Sequence, residues 1–187
     1  MLPRATKRVE LERDELLRLA AGQSAKVQLL ACICACERAF PLVNRLGSPK
    51  SRLVVRFAIE ELWTGESGSR FLEMVRTLPE VAAWDTNDPA YYAMSGISIV
   101  AHTHQFLEWR SEENLAYVIG TLFDLATEWG DREREITCQQ LIYQRAKGQA
   151  DPDFVTRQWL RMESLRAAFD YNQSVDHFCR IRGWSRH

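Results

Sequence analysis

No apolar run in the sequence is long enough to cross a bilayer: the longest stretches, such as Val27 to Cys36, are broken by Gln28 and fall far short of the roughly 20 residues a span requires. A transmembrane helix is therefore not expected. The N-terminus has charged residues where a signal peptide has an apolar centre, and it lacks a small-residue cleavage site, which gives the expectation of a cytoplasmic protein. Also missing are a glycine-rich phosphate loop, a GxSxG elbow, an HExxH helix and a paired CxxC motif, which counts against the enzyme classes that carry them. Neither strand-like alternation nor an internal repeat is present. Five cysteines make an odd number, and Cys32, Cys34 and Cys36 alternate within a segment that reads as a helix. Thiols two apart on a helix point to different sides, which suits neither a disulfide framework nor a zinc site. Free, buried thiols in a reducing compartment are the expectation.

What the sequence does contain is helical period, punctuated by caps. With 187 residues, 46% of them hydrophobic, the chain can bury one sizeable core, so residues 1–187 are read as one domain. A first helix is predicted over residues 6–21, stopped by Gly22. A second begins near Ser24 and is apolar nearly all round, which makes it central, and Pro41 should kink or end it. Gly47, Ser48 and Pro49 form the clearest boundary, a C-terminal glycine followed by an N-cap serine and a first-turn proline. The third helix then covers 49–64 and stops at Gly65. A short fourth helix starts around Ser67 to Ser69 and runs to Leu78. Residues 84–89 form a polar connection that ends with Asp88 as N-cap, and a fifth helix covers 89–109. Ser111, backed by Glu112 and Glu113, starts the sixth, where a cap oxygen and two carboxylates suit the exposed amides and the positive end of the dipole. A seventh is predicted over 132–147, and Asp151-Pro152 is read as the cap of a last helix toward Cys179. The sum is an all-α, antiparallel or orthogonal bundle of about eight helices.

Charge is segregated along the chain although the net value is −1. Residues 59–130 hold 12 Asp/Glu against 3 Lys/Arg, whereas residues 1–58 hold 5 against 11 and residues 131–187 hold 8 against 10. A bundle can interleave such helices. If it does not, one face is strongly acidic and steers basic partners.

Three groupings are candidates for function. His104 and Glu108 are one turn apart and could ligate a metal or act as an acid/base pair, with His102 turned away from them; the plainer reading is an ordinary histidine beside a carboxylate. Glu37, Arg38, Glu60 and Trp63 form either a structural network, with Arg38 paired to Glu60, or the lining of a polar pocket. The aromatics Trp84, Tyr91, Tyr92, Trp109 and Trp129 lie in or near the acidic segment and suit a core or an interface hot spot, Trp84 being the best candidate for exposure. The Arg-rich end from Arg180 to Arg186 is too short to imply nucleic-acid binding.

The stretch from Leu30 to Pro41, an apolar cysteine-containing helix that closes with Cys36, Glu37, Arg38, Phe40 and proline, resembles the YjaG-like family of small bacterial all-helical domains of unknown function. The likeness continues in Glu60, Glu61 and Trp63, in the Tyr-led helix from Tyr91 to Leu107, and around Gln158 and Trp159, covering patches of residues 24–170. It implies a helical fold without assigned chemistry and supplies no catalytic residue.

These readings converge on a non-enzymatic protein-binding module, in its specific form a bacterial immunity protein that neutralises a cognate, basic toxin. The contacts would come from an acidic face made of Glu60, Glu61, Trp84, Asp85, Asp88, Glu108, Glu112 and Glu113. No cofactor or metal is implied, and neither nucleic acid nor a membrane is expected as partner. The alternatives are a small-molecule or metal-binding protein, or an enzyme, using a Glu/Arg/His pocket between helices two, three and five, and a homodimer.

Overall fold

The computed structural model describes residues 4–65, 69–83 and 85–184. Its elements are α1 (Arg4–Ala21), α2 (Ala25–Leu46), α3 (Pro49–Thr64), α4 (Ser69–Val75), a 3₁₀ turn (Pro79–Ala82), α5 (Pro89–Trp109), α6 (Glu112–Trp129), α7 (Arg132–Arg145) and α8 (Phe154–Ile181). The fold is all-α and the helices share one core.

Helix α2 is the axis of that core. It packs against α1, α3, α5, α6, α7 and α8, which explains why Cys32, Cys34 and Cys36 point to different sides and are nevertheless all fully buried. Burial pushes the Cys34 thiol up to about 11 and that of Cys36 to about 12, so both stay protonated and inert at neutral pH. Although its unbroken apolar runs are short, α2 is, among the described residues, the one helix that passes as a bilayer span by length and mean hydropathy, and here most of it is covered by other helices. At the crossing with α5 the approach is close: a Cβ on Gly96 would lie 2.8 Å from Val43 Cγ2, so only glycine lets the two backbones meet.

The predicted boundaries hold where a cap side chain reaches a backbone amide. Ser24, Ser48, Asp88 and Ser111 each accept from an amide of the first helical turn. Gly65 and Gly130 take left-handed conformations that close α3 and α6. Three expectations are corrected. Pro41 does not end α2, which continues to Leu46, because Pro41, Leu42 and Val43 are buried and their packing outweighs one missing backbone bond. The cap of α8 is Asp153, whose carboxylate accepts from Thr156 N at 2.7 Å, whereas Asp151 is drawn to Lys26 at 2.5 Å. Helix α4 ends at Val75 and a separate 3₁₀ turn follows Leu78. The start expected for α4 at Ser67, like the Ser185–Arg186 end of the Arg-rich terminus, lies outside the described residues. The 3₁₀ turn places Glu80 against the start of α3, where it accepts from Ser48 N at 2.5 Å and Ser51 Oγ at 2.6 Å.

Candidate functional site

Two charges on adjacent residues of α2 organise the interior. Glu37 and Arg38 are 1% and 0% exposed. Neighbours on a helix diverge by about 100°, so they face different surroundings. Arg38 pairs with Glu135 of α7, Nε to Oε2 at 2.9 Å and Nη2 to Oε1 at 2.8 Å. The Glu135 carboxylate also accepts from Tyr171 Oη at 2.8 Å and Gln139 Nε2 at 2.8 Å, while Tyr143 Oη donates to Gln139 Oε1 at 3.2 Å. Four donors thus fill the acceptor sites of one carboxylate. Burial alone would lower the Arg38 pKa, but the Glu135 charge and hydrogen bonds raise it well above its ordinary value. One part of this network is incomplete: Arg38 Nη1 is buried without a hydrogen-bond partner.

On the other side Glu37 accepts from Trp63 Nε1 at 2.9 Å and Arg56 Nη1 at 2.7 Å. Arg56 also binds Glu60, one turn along α3, and Arg161 of α8 reaches Glu60 Oε2 at 2.5 Å and Glu37 Oε1 at 3.8 Å. Two carboxylates and two guanidiniums therefore alternate in a ring. Burial would raise the Glu60 pKa, but the charges and hydrogen bonds of Arg161 and Arg56 lower it. Arg161 lies over the Trp63 ring at 5.3 Å and Arg56 over Phe40 at 5.7 Å. The expected Arg38–Glu60 pair does not form, because Arg38 turns toward α7 and Glu60 faces the arginines of α3 and α8. Glu37, Glu60 and Trp63 do meet as the sequence suggests, but arginines fill the space between them.

The histidine expectation is also redirected. His104 is fully buried, its Nε2 donating to Ala58 O at 3.1 Å and its ring 5.2 Å from Phe71, so it joins α5 to α3. Glu108, one turn on, is exposed. Desolvation pulls the His104 pKa down to about 4 and keeps the ring neutral. His102 stacks on Tyr117 at 3.8 Å and its Nδ1 lies 2.7 Å from Asn114 Oδ1. Among the described residues no three His, Cys, Asp or Glu side chains converge as metal ligands.

The acidic residues separate into sites. Glu60 belongs to the ring just described. Glu61, half-buried, lines a groove of about 330 Å³ between α3 and α4 together with Arg70 and the exposed Leu53 and Phe57. Asp85 and Asp88 are turn and cap acceptors, for Asn87 N at 2.9 Å and Ala90 N at 2.8 Å. Glu108, Glu112 and Glu113 are exposed at the corner between α5 and α6. Asp88 and Glu108 bracket α5, and 1.5 Å per residue puts them about 30 Å apart, at opposite ends of that helix. Trp84 lies outside the described residues. Elsewhere in the acidic segment, cations from flanking segments intervene: Arg13 crosses Gly120 to meet Asp124 at 3.1 Å, and Arg182 approaches Glu128 at 4.0 Å.

Of the aromatic group, Tyr92 and Trp129 are core, whereas Trp109 is 64% exposed. It is the last residue of α5, flanked by Glu108 and followed within one turn by Glu112 and Glu113. Arg110 takes φ 51° to turn the chain, and its guanidinium lies 5.5 Å from the Phe106 ring and donates to Ala25 O at 3.4 Å. Sequence reasoning left Trp109 between core and interface hot spot; its place as the final residue before a cap was the overlooked signal, since a helix end is poorly enclosed. Arg56, Arg161 and Glu135 were missed as well. Glu135, Gln139 and Ile142 fall on one buried stripe of α7, a spacing visible in the sequence although it is mostly polar.

No protein-family model, curated protein or solved structure matches this chain.

Two outcomes follow. Replacing Glu135 with Gln leaves the Arg38 charge buried without a counter-charge and should cost about 3–5 kcal/mol, whereas the double change Arg38→Met with Glu135→Leu should cost markedly less; urea unfolding of the three proteins measures the difference, and equal losses would contradict it. For His104, the unfolded chain takes up a proton from about pH 6.5 downward, which the folded chain resists until about 4. Stability is therefore unaffected above pH 6.5 and declines as pH falls through that window, by about 3 kcal/mol in all. Between about pH 7.5 and 5 the wild type should lose about 2 kcal/mol more than His104→Gln, and identical pH profiles would refute the assignment.

Proposed function

We infer that the protein is a non-enzymatic protein-binding module that docks a basic protein on the corner between α5 and α6. The observation behind this reading is Trp109, 64% exposed at the end of α5, with exposed Glu108 next to it in sequence and exposed Glu112 and Glu113 in the first turn of α6. An exposed tryptophan is the side-chain type that anchors interfaces most often, because it buries a large rigid area at small conformational cost. The carboxylates around it favour encounter with positive charge. Arg110, the cation nearest in sequence, lies over the Phe106 ring and donates to Ala25 O. A binding surface on a rigid helical scaffold, with five free thiols suited to a reducing cytoplasm, agrees with the role of a bacterial immunity protein that caps a basic toxin. Glu60, Glu61, Asp85 and Asp88 have structural partners or lie at a distance, and they are secondary to this corner.

Immobilised wild-type protein, Trp109→Ala and Glu112→Lys/Glu113→Lys, each exposed to host lysate at low and high salt, test the reading. One basic protein should be retained by the wild type. Truncating Trp109 should weaken it by about 2 kcal/mol or more, and the charge reversal should slow association chiefly at low salt. Absence of a retained basic protein, or equal retention by all three proteins, would contradict the proposal.

A further inference from the structure

The saturated carboxylate and the unsatisfied guanidinium of the buried pair leave an asymmetry. Glu135 has four donors, but Arg38 uses only its Nε–Nη2 edge on it, and Nη1 has no protein partner. A buried N–H without an acceptor costs about 1–3 kcal/mol, more when charged, so such a group calls for explanation. Arg38 is also part of the lining of a cavity of about 190 Å³ between α7 and α8. With the other edge occupied by Glu135, Nη1 is the donor of the guanidinium left without a partner. Ser164, itself buried, is also part of the lining, and its hydroxyl lies within hydrogen-bonding reach of the Cys34 thiol as well. Leu141, Ile142, Leu160 and Ala167 supply apolar wall, with Thr137 and Cys138 beside them. At the mouth, Arg134 and Arg166 are matched by Asp170 and Glu163 at 4.0 and 3.3 Å.

We propose that this cavity is a binding site for a small organic monocarboxylate, its headgroup on Arg38 Nη1 and Ser164 Oγ and its short apolar body against Leu160 and Ala167. The chemistry selects that class. A guanidinium N–H and a hydroxyl suit a carboxylate oxygen. The apolar walls suit a hydrocarbon tail, and most pockets combine such walls with a few placed polar groups. Inorganic phosphate, which has no hydrocarbon tail, would leave the apolar walls unfilled. The volume admits a molecule of the size of butyrate or isovalerate. The site shares no residue with the α5–α6 corner, so either proposal can fail alone.

Cys138 provides a local probe, because it lines the cavity and is the only one of the five cysteines that is not buried. Wild-type protein is titrated with butyrate, isovalerate, inorganic phosphate and butylammonium while heat of binding and the rate of Cys138 alkylation are followed. Butyrate and isovalerate should bind saturably, with Kd roughly millimolar, and slow alkylation in proportion to occupancy; phosphate and butylammonium should do neither. Ala167→Leu, which fills the cavity, should weaken carboxylate binding about tenfold or more while circular dichroism stays helical, and Arg38→Lys should do the same if it folds. Carboxylates that fail to bind, that bind Ala167→Leu as well as wild type, or that protect Cys138 no better than phosphate would overturn the proposal. Should Arg38→Lys not fold, Ala167→Leu decides.

Discussion

The rest of this structure depends on two opposite charges placed side by side in the most buried helix of the chain. Hydrophobic burial draws α2 into the centre but does not say which helix belongs on which side, since an apolar surface is satisfied by any apolar neighbour. Glu37 and Arg38 remove that freedom. A buried charge needs its partner and its hydrogen bonds in place, so the Glu37 side must receive Arg56, Trp63 and Arg161, and the Arg38 side must receive Glu135 and Tyr171. Helix α8 serves both, Arg161 on one side and Tyr171 on the other. The pair thus sets position and register for α3, α7 and α8 together. Replacing such groups with apolar residues can preserve stability, so their role here is orientation and uniqueness more than raw energy.

The same arrangement accounts for the fate of the acidic segment. Its surplus of carboxylates is large along the sequence but is distributed in space: Glu60 lies within the ring with Arg56 and Arg161, Asp124 beside Arg13, Glu128 beside Tyr92 and Arg182, and Glu80 over the start of α3. Charge segregation in the chain is here largely a means of pairing helices of opposite sign. Exposed carboxylates beside an exposed aromatic occur at the α5–α6 corner, and the functional reading contracts to it.

Much of the fold was legible because its signals are local. Serine and aspartate before a first turn, glycine after a last one and the all-round apolarity of residues 25–43 each act within a few residues, and the structure places the helices accordingly. What was not legible is which side chains meet across helices. Arg38 and Glu135 are 97 positions apart, and nothing in the periodicity of α2 says whether Arg38 turns toward α3 or α7. Of the two effects expected of Pro41, a kink or an end, the end does not occur, because a single-residue rule weighs one backbone bond and ignores the packing around it. His104 could be read from sequence as a metal-ligand or acid/base partner of Glu108 or as an ordinary histidine, and the choice was not legible because its ring is held by Ala58 of α3 and by Phe71, both distant in the chain. Helix α8 hid its true cap because two aspartates flank Pro152, and Lys26 from a distant turn occupies one of them.

A swap variant tests the central claim most directly. Glu37→Arg combined with Arg38→Glu keeps composition, net charge and helix propensity nearly constant. It sets the introduced guanidinium against Arg56 and Arg161, and the introduced carboxylate against Glu135. Urea unfolding at neutral pH should show a protein that has lost most of its stability or does not fold. A midpoint and cooperativity like those of the wild type would mean that apolar packing alone positions the helices, and that the two charges do not set the architecture.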